Sequence, residues 1–153
     1  MRKQNKLLLE QLDQKLESFI EAGKINVPHK GWIFAIRNTL NMTLDQLGRK
    51  LGKTRQGVKR IENSEMSGTI SIKLLREVGQ AMDMRLVYGF LPNQGSVSNF
   101  VDIKSLELAE RIIQRTDQTM LLENQAAEKE HLSEAVLDLA AEIKREMKRS
   151  LWD

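Results

Sequence analysis

Apolar residues recur every three or four positions along most of the chain, and this spacing predicts a mainly α-helical protein. The first such segment runs from Lys6 to Glu21, and a connector that contains Pro28 follows it at Gly23–Gly31. The later helical segments are residues 32–40, 43–51, 54–61 and 71–82, then one from Ser98 to about Glu123 and one from about Ser133. We therefore expect a helical bundle that continues into a C-terminal helical arm.

The same spacing predicts which side chains face inward. In the segment that follows Ser71, a predicted N-cap, the stripe is Ile72, Leu75, Val78, Ala81 and Met82. In the arm, the two stripes are Leu106, Ala109, Ile113, Thr116 and Met120, and then Val136, Leu139, Ala140, Ile143 and Met147. The final Leu151-Trp152 is a candidate apolar anchor.

One segment, Arg85–Leu91, alternates apolar and polar residues instead and is typical of a β-strand, which Pro92 ends. A lone strand leaves unpaired amide and carbonyl groups along both edges. The simplest arrangement pairs it with the same strand of a second copy in a two-fold dimer. The alternative is an extended segment that pairs with nothing. The predicted divisions are an N-terminal helix and connector (1–31), a helical unit (32–84), a dimerisation strand (85–92) and a C-terminal helical region (98–153).

Two of the predicted helices lie close together between Met42 and Ile61. The hydroxyls of Thr43 and Thr54 suit the N-caps of the first and second helix, and Gly52 suits the end of the first. The inward positions are Leu44, Leu47, Leu51, Val58 and Ile61. This layout predicts a helix-turn-helix whose second helix enters the major groove of DNA.

Charge and side-chain chemistry agree with a DNA-binding role. Six cations and one acid, Asp45, lie between Thr43 and Arg60, and such a surplus neutralises phosphates. Arg55 can reach O6 and N7 of guanine, and Gln56 can reach N6 and N7 of adenine. The absence of a side chain at Gly57 would let the backbone approach DNA closely. A solvated helix pair that binds nothing is the alternative.

The formal net charge of +3 conceals an asymmetry. Residues 1–62 hold 13 Lys and Arg against 6 Asp and Glu, whereas residues 63–153 hold 11 against 15. The basic half suits nucleic acid, and the acidic half is expected to face elsewhere, toward a protein partner or simply toward solvent. The chain has no cysteine, no 18-residue apolar run and no signal-peptide core, so we expect a cytoplasmic protein without disulfides or a membrane span.

An enzymatic role is not expected. His29 lies in the connector and His131 lies between two helices, and neither has the neighbours of a metal site or a nucleophile. No glycine-rich phosphate loop is present. The sequence therefore predicts neither a catalytic residue, nor a metal, nor a cofactor.

Residues 32–84 resemble the XRE family of phage-repressor-like helix-turn-helix proteins, which bind operators as dimers and usually repress transcription. Besides the two capped helices, the resemblance rests on the leading helix Trp32–Leu40 and on Gly48, where a small residue lets the two helices touch. It implies a palindromic double-stranded DNA operator, a homodimer and base contacts from Arg55, Gln56 and Lys59. The residues that it places at or near phosphates are Thr43, Lys53, Thr54, Arg60 and Thr69.

The segment Thr119–Asn124 fits the pattern Ser/Thr-x-x-x-Glu-Gly/Asn, in which Thr119 and Glu123 share a helix face. It resembles the inhibitory helix of proteins that restrain Fic-domain enzymes, which transfer AMP from ATP to target hydroxyl groups. The resemblance implies that Glu123 pairs with an arginine that would otherwise hold the ATP γ-phosphate, and that Thr119 and Asn124 complete the motif. The alternative is that Glu123 is one surface acid among many.

From its leucine-rich leader to its final Leu-Trp-Asp, the chain also resembles the mobile mystery protein A family. Its members are encoded beside a partner, mobile mystery protein B, that carries a Fic domain. This resemblance implies an antitoxin that represses its own operon and inhibits the Fic toxin. The chain lacks the Fic signature His-Pro-Phe-x-x-Gly-Asn-Gly-Arg, so it is not itself the transferase. The alternative is a plain dimeric repressor whose C-terminal helices stabilise the dimer or sense a ligand.

Overall fold

The computed structural model describes residues 2–117 and 128–153, and this part of the chain is mainly helical, as predicted. Its helices are α1 (Arg2–Ala22), α2 (Trp32–Thr39), α3 (Leu44–Leu51), α4 (Arg55–Met66), α5 (Ile72–Ala81), α6 (Val97–Asp117) and α7 (Glu128–Glu146), followed by a 3₁₀ turn, Arg149–Trp152. The chain divides into a central unit, Glu21–Gly89, and a split unit, which combines Met1–Ile20 with Phe90–Asp153. None of the helices in the described ranges is long and apolar enough to cross a membrane.

The core of the central unit consists of apolar side chains from α2 to α5 and the residue after α5. The buried members are Ile33, Leu47, Val58, Ile61, Val78 and Met82. This confirms the inward positions predicted for α3 and α4. The inward position predicted for Ile72 is wrong, because this first residue of α5 is 46% exposed. The packed part of the α5 stripe begins about one turn later, at Leu75.

The core of the split unit lies between α6 and α7 and includes the 3₁₀ turn. Its buried apolar residues are Val101, Ala109, Ala140, Ile143 and Leu151. The stripe predicted for α7 is confirmed. So is the C-terminal anchor, since the Trp152 ring stacks on Phe100 with the ring centroids 5.7 Å apart.

The stripe predicted for α6 is wrong in part. Ala109 is buried, but Leu106 and Thr116 are exposed, and Met120 lies outside the described residues. The buried face of α6 instead follows a spacing of four from Val101 through Ser105 to Ala109. Ser105 conceals this face in the sequence, because a hydroxyl on a core stripe reads as a solvent-facing position.

The start of α6 is capped by a side chain from α1. The Asp13 carboxylate accepts hydrogen bonds from the backbone amides of Val97 and Ser98, at 2.7 and 3.2 Å, and from the Ser98 hydroxyl at 2.6 Å. The Ser98 hydroxyl contributes most to holding the pKa of Asp13 below its ordinary value of 3.8. Part of the N-terminal helix thus supports the C-terminal arm, 84 residues away in the sequence.

The prediction of a dimerisation strand at Arg85–Leu91 is not supported. The segment is extended, but the described part of the chain contains no β-strand. Alternation favours an extended backbone, whereas a strand also needs a second extended backbone alongside it, and the elements described around this segment are helices. Tyr88 of this segment contacts α5, where Arg76 Nη2 lies 3.4 Å from the Tyr88 hydroxyl.

Candidate nucleic-acid interface

The first helix of the motif, α3, begins with a capping box. The Thr43 hydroxyl accepts a hydrogen bond from the Gln46 amide at 3.1 Å, and Gln46 Oε1 accepts one from the Thr43 amide at 2.7 Å. Thr43, a predicted phosphate-contacting residue, is therefore the cap that the sequence predicts. Its side chain is exposed at the edge of the motif.

The turn between the two helices depends on two glycines. Gly52 ends α3 in the left-handed region, with φ at 63°. Gly48 lies one turn earlier, where a Cβ would stand 2.5 Å from the carbonyl oxygen of Lys53. The Lys53 amide also donates to the Gly48 carbonyl at 2.8 Å. The turn thus folds directly onto Gly48, and the small residue expected there is required for this contact.

The second helix, α4, presents its cations to solvent. The Thr54 hydroxyl caps it by accepting the Gly57 amide at 3.1 Å. Val58 and Ile61 are buried, which fixes the rotation of the helix about its axis. The side chains that this rotation leaves exposed are Arg55, Gln56, Lys59 and Arg60, and the preceding Lys53 is exposed as well.

Two of the predicted base-contacting residues already have an acidic neighbour. Arg55 Nη1 lies 3.9 Å from Asp45 Oδ2 on α3, and both side chains are largely exposed. Lys59 Nζ lies 3.7 Å from Glu62 Oε2 and 5.8 Å from the centroid of the Phe34 ring on α2. An exposed ion pair contributes at most about 1 kcal/mol, so Arg55 can exchange Asp45 for a base at little cost.

Thr69, the last predicted phosphate-contacting residue, lies in the loop after α4. Its hydroxyl is 3.0 Å from the Ser67 hydroxyl and 3.4 Å from the Ser64 carbonyl oxygen. Gly68, just before it, has a φ of 74°, in the left-handed region. The loop therefore has a defined shape and leaves Thr69 exposed.

A buried ion pair between α2 and α4 was not predicted. Arg37 Nε donates to Glu62 Oε1 at 2.6 Å, and its Nη1 donates to the Met42 carbonyl at 2.8 Å. Only 2% of Glu62 is exposed. The available signal was spacing, since Glu62 follows Val58 by four residues and Arg37 follows Ile33 by four, so both charges fall on apolar stripes.

A second carboxylate of α4 caps α2. Glu65 accepts hydrogen bonds from the amides of Trp32 at 2.8 Å and Ile33 at 2.9 Å. Gly31 makes room for it, because a Cβ there would lie 2.7 Å from the carboxylate and its φ is 84°. Together, Glu62 and Glu65 fix α4 to the leading helix.

The predicted toxin-inhibitory residues, Thr119, Glu123 and Asn124, lie outside the described residues. Of the two predicted sites, the structure therefore describes only the candidate nucleic-acid interface.

The central unit has the arrangement of a helix-turn-helix DNA-binding protein, in which a capped second helix projects polar and cationic side chains. Residues 33–88 match the helix-turn-helix family, and the chain carries an XRE-type helix-turn-helix domain there. This confirms the predicted helix-turn-helix, and the family resemblance of the remaining chain stays a prediction. Comparison with curated proteins and with solved structures gave no match.

Proposed function

We propose that the protein is a transcription regulator that reads double-stranded DNA through α4, its recognition helix. The geometry of α4 is the observation that carries this proposal. The helix is capped at Thr54, buried Val58 and Ile61 fix its rotation, and its first two turns expose four polar or cationic side chains. Helices of this kind enter the major groove with their N-terminal residues at the base edges. The matched helix-turn-helix domain is typical of such regulators.

The side chains divide into two classes of contact. Arg55, Gln56 and Lys59 read base edges in the major groove. Guanidinium and ammonium groups match guanine there, and the side-chain amide of glutamine matches adenine. Five others hold the backbone through hydroxyl and cationic groups, namely Thr43, Lys53, Thr54, Arg60 and Thr69. Such phosphate contacts set the register of the protein on the duplex but carry little sequence information.

The protein binds its operator as a homodimer in this proposal. One recognition helix reads only a few base pairs, and two copies on a palindrome place their helices about 34 Å apart, one turn of DNA. In such a dimer, surfaces other than a strand at residues 85–91 make the contact between the two copies. Footprinting of the operator tests it, since a dimer protects two half-sites related by two-fold symmetry.

Arg55→Ala is expected to relax the preference at one base position by about 1–3 kcal/mol. The physical reason is the loss of a bidentate guanidinium contact to guanine. The measurement is competition between the operator and single-base variants in a mobility-shift or anisotropy assay.

Lys53→Ala is the matched control, because it removes a cation next to the recognition helix without removing a base contact. It should weaken binding to all sequences alike and leave the base preference unchanged. If both variants leave binding to the DNA upstream of the gene for this chain unaltered, α4 is not the recognition helix.

We also propose a second role for the same chain, inhibition of a Fic-domain AMP-transferase. The support is the sequence motif Thr119–Asn124 and the chain-long resemblance to proteins encoded beside a Fic partner. A glutamate that pairs with the active-site arginine occupies the place of a phosphate, because carboxylate and phosphate share bidentate geometry with guanidinium. ATP then binds in a pose that misaligns its α-phosphate, which costs on the order of 10²-fold in rate per ångström.

Glu123→Gly is expected to make co-expression of the neighbouring Fic protein toxic while DNA binding stays intact. The reason is that glycine offers no carboxylate to the arginine of the toxin. Growth and adenylylation of cellular proteins are the measurements, and Arg55→Ala is the reciprocal control, since it should keep the toxin inhibited. Equal growth with wild type and Glu123→Gly, beside a toxin shown to be active alone, would exclude the inhibitory role.

A further inference from the structure

The aromatic ring of Phe34, on α2, lies among three cationic groups. Lys30 Nζ is 4.8 Å from its centroid, Arg37 Cζ is 5.5 Å away and Lys59 Nζ is 5.8 Å away. A cation within about 6 Å of a ring face is attracted by the ring quadrupole. Phe34 therefore has around its ring a lysine from the connector, an arginine from α2 and a lysine from the recognition helix.

These three charges are not balanced locally. Glu62 lies beside them, and its Oε1 is engaged by Arg37 while its Oε2 lies 3.7 Å from Lys59. Within the described residues, no carboxylate lies at ion-pair distance from Lys30. The α2 amides that begin the helix beside Lys30 are already capped by Glu65. Of these three cations, Lys30 is thus the one without a carboxylate partner among the described residues.

The backbone holds Lys30 in a defined place. The Gly31 amide donates to the Pro28 carbonyl at 2.8 Å, which closes a turn around His29 and Lys30. Gly31 then takes a positive φ and leads into α2. The turn at Pro28 and the ring at Phe34 thus place the Lys30 ammonium at the same ring as the Lys59 ammonium, although the two lysines are far apart in the sequence.

We propose that Lys30 is a further DNA-contacting residue, which binds a phosphate of the duplex next to the bases read by α4. Lys30 lies before the matched domain, which starts at residue 33, so the interface extends into the connector. The inference rests on the proposed function, because it needs α4 to lie on DNA. Phe34 is a positioning residue here, since it touches the ammonium and no base. A phosphodiester is the ligand that an unpaired, solvent-exposed ammonium beside a recognition helix suits.

The test is the salt dependence of DNA binding by the full chain. Each neutralised phosphate contributes about 0.9 to the slope of log affinity against log salt. Lys30→Ala is expected to lower that slope by about 0.9 and to weaken binding about eightfold at 0.1 M salt, equally on operator and unrelated duplexes. Lys30→Arg should keep the wild-type slope, because arginine retains both the charge and the contact with the ring.

Lys24→Ala is the matched control from the same connector, because the Lys24 ammonium is already paired with Glu21 at 2.6 Å. It should leave the slope near that of the wild type. A Lys30→Ala slope equal to that of the wild type overturns the inference while the proposed function stands. A loss at Lys24 equal to that at Lys30 also overturns it, since the effect is then one of general charge. A wild-type chain that binds no duplex overturns both.

Discussion

Arg37→Met is expected to destabilise the central unit by about 3–5 kcal/mol, the usual cost of removing one partner of a buried ion pair. The variant leaves the Glu62 carboxylate, which is almost wholly buried, without the guanidinium that donates to it at 2.6 Å. It also leaves the Met42 carbonyl without its 2.8 Å donor. Urea unfolding of the full chain, followed by Trp32 fluorescence in a Trp152→Phe background, measures the effect on the central unit.

Two controls make the result for Arg37 specific. Arg49→Met removes an exposed arginine from α3 and should change stability by no more than about 0.5 kcal/mol. The double variant Arg37→Met/Glu62→Leu should recover much of the loss, because an apolar pair leaves no charge unpaired. An unfolding midpoint of Arg37→Met equal to that of the wild type would show that the carboxylate does not depend on Arg37.

Gly48→Ala is expected to cost about 3 kcal/mol, at the upper end of the range for overpacking a core position. The new Cβ would stand 2.5 Å from the Lys53 carbonyl oxygen, which is backbone and cannot rotate away. The turn has to shift, and the Thr54 cap and Arg55 shift with it. We expect a lower urea midpoint together with weaker operator binding, measured on the fraction that remains folded.

Gly57→Ala is the matched control, with the same added methyl group in the same motif. Its Cβ would meet the Thr54 hydroxyl at 3.3 Å, a side-chain atom that can yield. The change also removes a helix-interior glycine, which is worth roughly 0.5–1 kcal/mol in favour of alanine. Its stability should therefore stay within about 1 kcal/mol of the wild type. Equal losses at Gly48 and Gly57 would contradict a specific clash with the turn.

Local chemistry made the helix-turn-helix predictable from sequence. The caps at Thr43, Thr54 and Ser71 are each formed with an amide three residues ahead, and Gly52 lies where a left-handed end is needed. Such contacts depend on neighbours within one turn, so the order of residues contains them. The inward positions of α3 and α4 follow from the helical period for the same reason.

The features that the sequence did not reveal depend on contacts between distant residues. Glu65 and Asp13 cap helices that begin 33 residues before and 84 residues after them, respectively. Nothing in the local pattern distinguishes either carboxylate from a solvated acid. At Arg85–Leu91 the alternation of apolar and polar residues favoured a strand. A strand also needs a second extended backbone beside it, and local alternation does not determine whether one is present.

The two carboxylates of α4 are engaged within the domain, whereas its cations are exposed. Glu62 and Glu65 are its only acids, and both are turned toward α2, where one meets a guanidinium and the other meets free amides. A polyanion that meets the exposed cations of α4 therefore finds both carboxylates of this helix already engaged within the domain. Within this short helix the acids serve the cohesion of the domain and the exposed cations serve the proposed attraction to nucleic acid, so strengthening one need not weaken the other.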